Sequence, residues 1–225
     1  MSYWRDRLTQ CDITVERPSK RFGEAVVRCS DPDGTQLELV TGESPVEPWA
    51  DGPIPVQHAI RGIHSVTLLS TNVFVTASVL ETLGFELIDQ EGDRVRYQAP
   101  GDRATVVDLL DHDSDFGREG AGSIHHVAVR VPEEEQLYEW HDLFRERGYD
   151  VSRVKDRHFF YSLYVREPGG ILFELATEQP GLTVEGDLDT LGQSLFLPPW
   201  LEEDREMIEG QLQPLDVSST LDLRG

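Results

Sequence analysis

"REPGGILFELAT" occupies Arg166 to Thr177, and 136 residues earlier "SDPDGTQLELVT" occupies Ser30 to Thr41 with Pro, Gly, Glu, Leu and Thr in the same places. The same offset, held without a gap, sets Trp4 on Trp140, Asp6 on Asp142, Val15 on Val151, Arg17 on Arg153 and Arg21 on Arg157. Register kept over that distance marks an internal repeat. Each copy reads as a helix carrying the Trp, a short strand, and two long strands joined by a turn whose geometry Pro and Gly supply. The second copy also has a strand ahead of its helix, "SIHHVAVRV" (123–131), whereas the first opens at residue 3, already inside the helix.

Between the copies, "GIHSVTLLS" (62–70) reads as a strand and 73–83 as a helix ending at Gly84. "FELIDQ", "DRVRYQ" and "ATVVDLL" follow as three strands separated by turns. The order strand, helix, three strands is that of the second copy. The chain thus divides into an incomplete βαβββ unit (1–41), a Pro-, Gly- and acid-rich linker (42–58), a pair of complete βαβββ units (59–178), and a C-terminal extension (179–225). In that extension "LPPWLEEDREMIEGQL" reads as a capping helix entered through prolines. The fold class expected is α+β, with curved mixed sheets that close into a cup.

The 225 residues include 42 Asp and Glu against 20 Lys and Arg, a formal charge of −22. Such a surface repels nucleic-acid phosphates and anionic membranes, which excludes both as expected partners. The acids are spread along the whole chain and Lys20 and Lys155 are its only lysines, a pattern that fits a halophilic protein. Cys11 and Cys29 are the only cysteines, and no leader or membrane-length apolar run is seen. A reduced, cytoplasmic protein is expected.

Residues facing into a cup come from first and last strands. Those able to bind a metal are His64 in the first strand of the central unit, His126 in the first strand of the final unit and Glu174 in its last strand. Two imidazoles and a carboxylate suit non-haem Fe(II), leaving open positions for substrate and O2. Glu174 interrupts the apolar run "GGILFELAT", and an ionised carboxylate there costs several kcal/mol unless paired or coordinated, roughly as for any buried ion. In "HFFYSLYVREP", Tyr164 shares a face with Phe160, Ser162 and Arg166. Tyr161 lies on the opposite face. A Tyr and an Arg such as Arg157 suit holding an anionic ring oxygen or moving a proton. His58, His112, His141 and His158 read as structural, and "DHDSD" (111–115) lacks the spacing and closing Glu of a calcium loop.

"GSIHHVAVRV", "DRHFFYSLYVREPGGILFELATEQPG" and "LPPWLE" resemble the C-terminal part of the vicinal-oxygen-chelate superfamily, specifically its ring-cleaving dioxygenases of the hydroquinone type. The resemblance implies an Fe(II) enzyme that inserts both atoms of O2 into a hydroquinone or catechol-like aromatic. It implies His126 and Glu174 as iron ligands, and His125, Arg157 and Tyr164 as groups that bind and polarise the substrate. A regular strand points His125 away from His126, so this role requires a bulge or a different cup. In that family a third ligand, a further histidine, comes from a leading unit that this sequence does not contain. Either His64 takes its place, or the missing half arrives on another polypeptide or by exchange in a homodimer, or nothing replaces it. The alternatives are a glyoxalase-like isomerase or lyase using Mn, Ni or Zn, with Glu38 as the evident extra donor, and a non-catalytic binding module of the same fold.

Overall fold

A computed structural model describes residues 1–111 and 117–213. His112 and all but the first residue of "DHDSD" lie outside them, as does the end of the C-terminal extension. The first copy forms helix α1 (Ser2–Gln10) and an antiparallel sheet of β1 (Ser19–Arg21), β2 (Glu24–Ser30) and β3 (Gln36–Val40), in that order. Val15 adds an isolated bridge to Cys29. The linker is not loose at its far end. Trp4 Nε1 donates to the His58 carbonyl at 2.9 Å, and Tyr3 stacks on the His58 ring at 4.2 Å.

The central unit runs β4 (Ser65–Leu69), α2 (Val73–Thr82), β5 (Glu86–Glu91), β6 (Arg94–Gln98) and β7 (Val106–Leu110), with strand order β4-β7-β6-β5. β4 and β7 are parallel and the other pairs antiparallel. The final unit runs β8 (Val127–Arg130), α3 (Glu134–Glu146), β9 (Asp150–Val151), β10 (Lys155–Asp156), β11 (Phe160–Arg166) and β12 (Leu172–Pro180). Its order, β10-β11-β12-β8 with β9 also on β11, repeats that of the central sheet.

Local chemistry sets these elements. Asn72 caps α2 by accepting the Val75 amide, worth about 1 kcal/mol. Helix α3 presents Leu137, Trp140 and Phe144 at helical spacing, and Leu137 and Phe144 are fully buried. They join Leu80, Val79, Leu109, Leu163, Val165, Phe173 and Leu175 in one apolar core shared by the central and final units. Burial of each large side chain contributes roughly 2 kcal/mol. The loop after β11 seals the same junction. Gly169 sits where a side chain would strike Ser70, Thr76 and Glu167, and its carbonyl accepts the Thr71 amide at 3.0 Å.

The polar side of the central sheet faces the first copy. Arg96 bonds Asp108 within its own sheet and Glu24 of β2 at 2.8 Å, while Arg21 of β1 reaches Asp108 at 3.8 Å. The first cup is therefore built from the incomplete unit and the central one, and this corrects the expectation of one cup shared by the two complete units. Those two units are joined instead through their apolar core. The C-terminal extension forms a 3-10 helix (Pro199–Asp204) and a short helix, α4 (Arg205–Glu209), in place of one continuous capping helix.

Candidate metal and substrate site

"SIHHVAVRV" becomes regular strand only at Val127, so Ile124 to His126 precede the ladder and escape its alternation. This is how adjacent histidines come to touch, their Nδ1 atoms 2.9 Å apart and their rings crossed at 88°. His126 Nε2 lies 2.8 Å from Glu174 Oε2. Parallel pairing of β8 with β12 brings this about, setting Val127 against Phe173 and Ala128 against Glu174.

Glu174 is 4 % exposed, and its second oxygen, Oε1, is buried with no hydrogen-bond partner. Tyr164 is its cross-strand partner on β11, and the Tyr164 and His126 rings meet edge to face at 5.5 Å. Arg157 Nη2 lies 3.4 Å from the Tyr164 hydroxyl. Burial, reinforced by the Glu174 carboxylate and opposed by Arg157, raises the Tyr164 pKa, so its phenol keeps its proton at neutral pH. His125, His126, Arg157, Tyr164 and Glu174 thus form one connected cluster.

His64 is not in it. Its Nε2 lies 2.9 Å from Glu24 Oε1 and its Nδ1 2.9 Å from Ser65 Oγ, which places it in the first cup. Among the described residues no three His, Cys, Asp or Glu side chains gather as a metal-ligand set. The expectation of His64 as third ligand is therefore not matched by its described contacts: it precedes β4, and a carboxylate of β2 in the first copy holds it. Glu38, the extra donor of the glyoxalase-like alternative, is likewise committed. Arg21 spans both of its oxygens at 2.9 and 2.5 Å, and Arg28 adds a bond of 2.8 Å. Burial alone would raise its pKa, but the two guanidiniums outweigh burial and bring it down to about 2.

The pair of His126 and Glu174 fits a metal on three counts. The donors are the neutral-imidazole and carboxylate types that suit non-haem iron. Their 2.8 Å separation matches adjacent ligands, which stand about 3 Å apart when bonds of about 2.1 Å meet at a right angle. The bare Oε1 is an acceptor that the protein leaves unfilled. Beside His126 a cleft of about 290 Å³ opens between the edge strands β4 and β8, lined among others by Leu69, Thr71, His125, Arg166 and Ile171, whereas Glu174, Tyr164 and Arg157 are not part of its lining.

Two contributors were not legible in the sequence. Glu119 accepts from Arg166 at 3.1 Å and lies 3.6 Å from His125 Nε2, tying the loop ahead of β8 to the end of β11. Lys155 places its ammonium 5.4 Å from the centre of the Tyr164 ring. Neither sits in a motif, although Lys155 stands out as one of two lysines.

Residues 63–175 match the model of the Glyoxalase/Bleomycin resistance protein/Dioxygenase superfamily. The chain belongs to this superfamily. Among members of the superfamily, MhqO of Bacillus subtilis strain 168, which carries the name of a ring-cleaving dioxygenase, is 38 % identical over 219 residues, covering 96 % of this chain and 70 % of that protein. MhqA of the same organism, similarly named, is 37 % identical over 226 residues, with 96 % and 72 % covered. The chlorohydroquinone/hydroquinone 1,2-dioxygenase of Sphingobium indicum is 31 % identical over 90 % of this chain and 65 % of its own length. A crystal structure of a Bacillus subtilis protein described as a dioxygenase superposes with a TM-score of 0.89 at 38 % identity, over 96 % of this chain and 70 % of that one. The curved sheets of order first, last, third, second strand are thus those of the superfamily.

Proposed function

We propose that this protein is a ring-cleaving dioxygenase that opens a hydroquinone- or catechol-like aromatic with O2, using Fe(II) held by His126, Glu174 and a third donor from outside the described residues. That donor comes from a further chain segment or a second polypeptide. The observation that carries the reading is the buried Glu174 carboxylate, 2.8 Å from His126 through one oxygen and bare at the other. The names of the relatives supply the reaction class. The arginine-locked Glu38 counts against the glyoxalase-like alternative.

Bound there, Fe(II) supplies a meeting point for the ring oxygens and O2 and a path for electrons between them. The chain's own groups do the rest. Arg157 is the group that holds an ionised ring oxygen of the bound aromatic, and a guanidinium does so without itself losing a proton. Tyr164, kept protonated by burial and by Glu174, donates a hydrogen bond or a proton to the oxygen it meets. His125, half exposed at the rim and backed by Glu119, exchanges protons with solvent. His126 acts as a ligand in its neutral form and Glu174 in its ionised form.

The direct test is hydroquinone turnover under isotopically labelled O2. The expected product is ring-opened and carries both labelled atoms. A product without label, or O2 uptake that does not depend on the aromatic, contradicts the assignment.

A further inference from the structure

The turn between β10 and β11 carries Arg157 to the site, and its next residue has an unusual backbone. His158 adopts φ of +68°, a left-handed conformation uncommon for any residue but Gly. Its amide bonds Asp156 Oδ1 at 2.7 Å, and the Arg157 amide donates to the Phe160 carbonyl at 2.9 Å, so the backbone is held on both sides of Arg157, whose Nη2 reaches the Tyr164 hydroxyl at 3.4 Å. Aromatic side chains from the C-terminal extension close on this turn. The ring of His158 lies 4.9 Å from Phe196 and 6.1 Å from Trp200, and Phe159 lies 4.8 Å from Phe196. The extension is itself anchored: Leu197 is buried, Gly181 donates to the Phe159 carbonyl at 2.8 Å, and Arg205 bonds the Leu195 carbonyl at 3.2 Å.

The internal repeat gives an independent reason to read this contact as a clamp. The equivalent of His158 is Phe22, also left-handed with φ of +48°, and it follows Arg21, the equivalent of Arg157. There the grip comes from the facing sheet. Glu91 accepts the Phe22 amide at 2.6 Å and the Arg96 guanidinium sits 4.2 Å over the Phe22 ring. Both copies thus hold the residue after the arginine, one by the facing unit and the other by the C-terminal extension.

We propose that Phe196 and Trp200 are positioning residues that grip His158 and thereby hold Arg157 against Tyr164 at the substrate side of the Glu174 site. The extension in this way governs substrate affinity without touching the metal ligands. This rests on the dioxygenase reading for the identity of the ligand, here hydroquinone. A displaced guanidinium weakens an interaction with the ring oxygen, and misplacement by about 1 Å is enough for a large loss.

The experiment is an anaerobic titration of the iron-loaded full chain with hydroquinone, together with iron content, far-UV circular dichroism and steady-state O2 uptake. It compares wild type, Trp200→Ala, Trp200→Phe and the double variant Phe196→Ala/Trp200→Ala. The double variant is expected to raise Kd and KM by about tenfold or more, with kcat within about threefold and iron per chain unchanged. Trp200→Phe, which keeps a ring, is expected to restore binding to within about twofold of wild type. Trp200 is 56 % exposed, so the single Trp200→Ala variant decides the matter should the double variant fail to fold. An unchanged Kd in a folded variant overturns the proposal, as does a loss in which iron content falls together with affinity. A wild type that binds hydroquinone but consumes no O2 defeats the dioxygenase reading alone, and the clamp then stands or falls on Kd. A wild type that binds no hydroquinone overturns both.

Discussion

In the first copy of the repeat Glu38 is gripped by Arg21 and Arg28, while at the matching place in the second copy Glu174 has Tyr164 opposite it on β11 and His126 for a partner, and Arg157 reaches the Tyr164 hydroxyl. Two things change: Tyr164 stands where Arg28 stood, and Arg157, the equivalent of Arg21, reaches the Tyr164 hydroxyl instead of the carboxylate. With two guanidiniums on it, Glu38 has both oxygens satisfied and titrates near pH 2, so it has nothing left to offer a metal. With neither guanidinium bonded to it, Glu174 keeps its buried Oε1 without a hydrogen-bond partner among the described residues. A buried carboxylate without a cation costs several kcal/mol, so the second arrangement calls for a charge from outside the side-chain set. The same fold and the same carboxylate yield a structural ion-pair network in one cup and a candidate metal site in the other.

The largest effect expected from this contrast is on stability, in the first cup. Asp108 is fully buried and receives Arg96 at 2.8 and 3.1 Å and Arg94 at 3.2 Å. Asp108→Ala leaves buried guanidiniums uncompensated and is expected to cost about 3–5 kcal/mol in urea unfolding, with iron content of the folded fraction unchanged. A loss of iron in step with stability would show that the two cups are not separable.

Next comes acid. Glu38 has a folded pKa of about 2 against an ordinary 4.5, so its contribution is complete above pH 4.5 and fades as pH falls toward 2. That contribution is on the order of 3 kcal/mol. The Glu38→Gln variant should therefore have a flatter stability profile than wild type across that window. Parallel profiles would refute the locked carboxylate.

Tyr164→Phe tests the other cup. It removes a proton donor that burial keeps protonated and is expected to lower kcat by about 10–100-fold, with iron retained. If kcat is unchanged, Tyr164 only fills space. The smallest effect belongs to His64. His64→Ala gives up partly exposed bonds to Glu24 and Ser65, and is expected to cost no more than about 1 kcal/mol and to leave iron binding untouched. Loss of iron in that variant would restore His64 as a ligand.

Much of this architecture was legible in the sequence because the repeat keeps its register and because strand, helix and turn signals agree from unit to unit. Glu174 stood out as a charge inside an apolar strand, and the structure sets it beside His126. What was not legible was which sheet faces which. Arg94 and Arg96 alternate with Val95 and Tyr97 on β6, and both arginines are about 5 % exposed because Asp108 reaches them from β7 and Glu24 reaches Arg96 from β2. Those partners are fixed by tertiary closure, and strand periodicity carries no record of it. The partners of His64 were hidden for this reason: its strand was identified, but Glu24, which it contacts, belongs to the first copy. The contact between His125 and His126 was hidden by a smaller effect, the onset of β8 at Val127, since strand boundaries shift by a residue or two without altering the apolar pattern.

The most direct test of the central contrast is anaerobic Fe(II) titration of the full chain in parallel with its Glu174→Gln and Glu38→Gln variants, with circular dichroism to confirm that each is folded. The account predicts that Glu38→Gln binds iron as wild type does and that Glu174→Gln loses it. Iron binding that survives Glu174→Gln, or that disappears with Glu38→Gln in a folded protein, would contradict it.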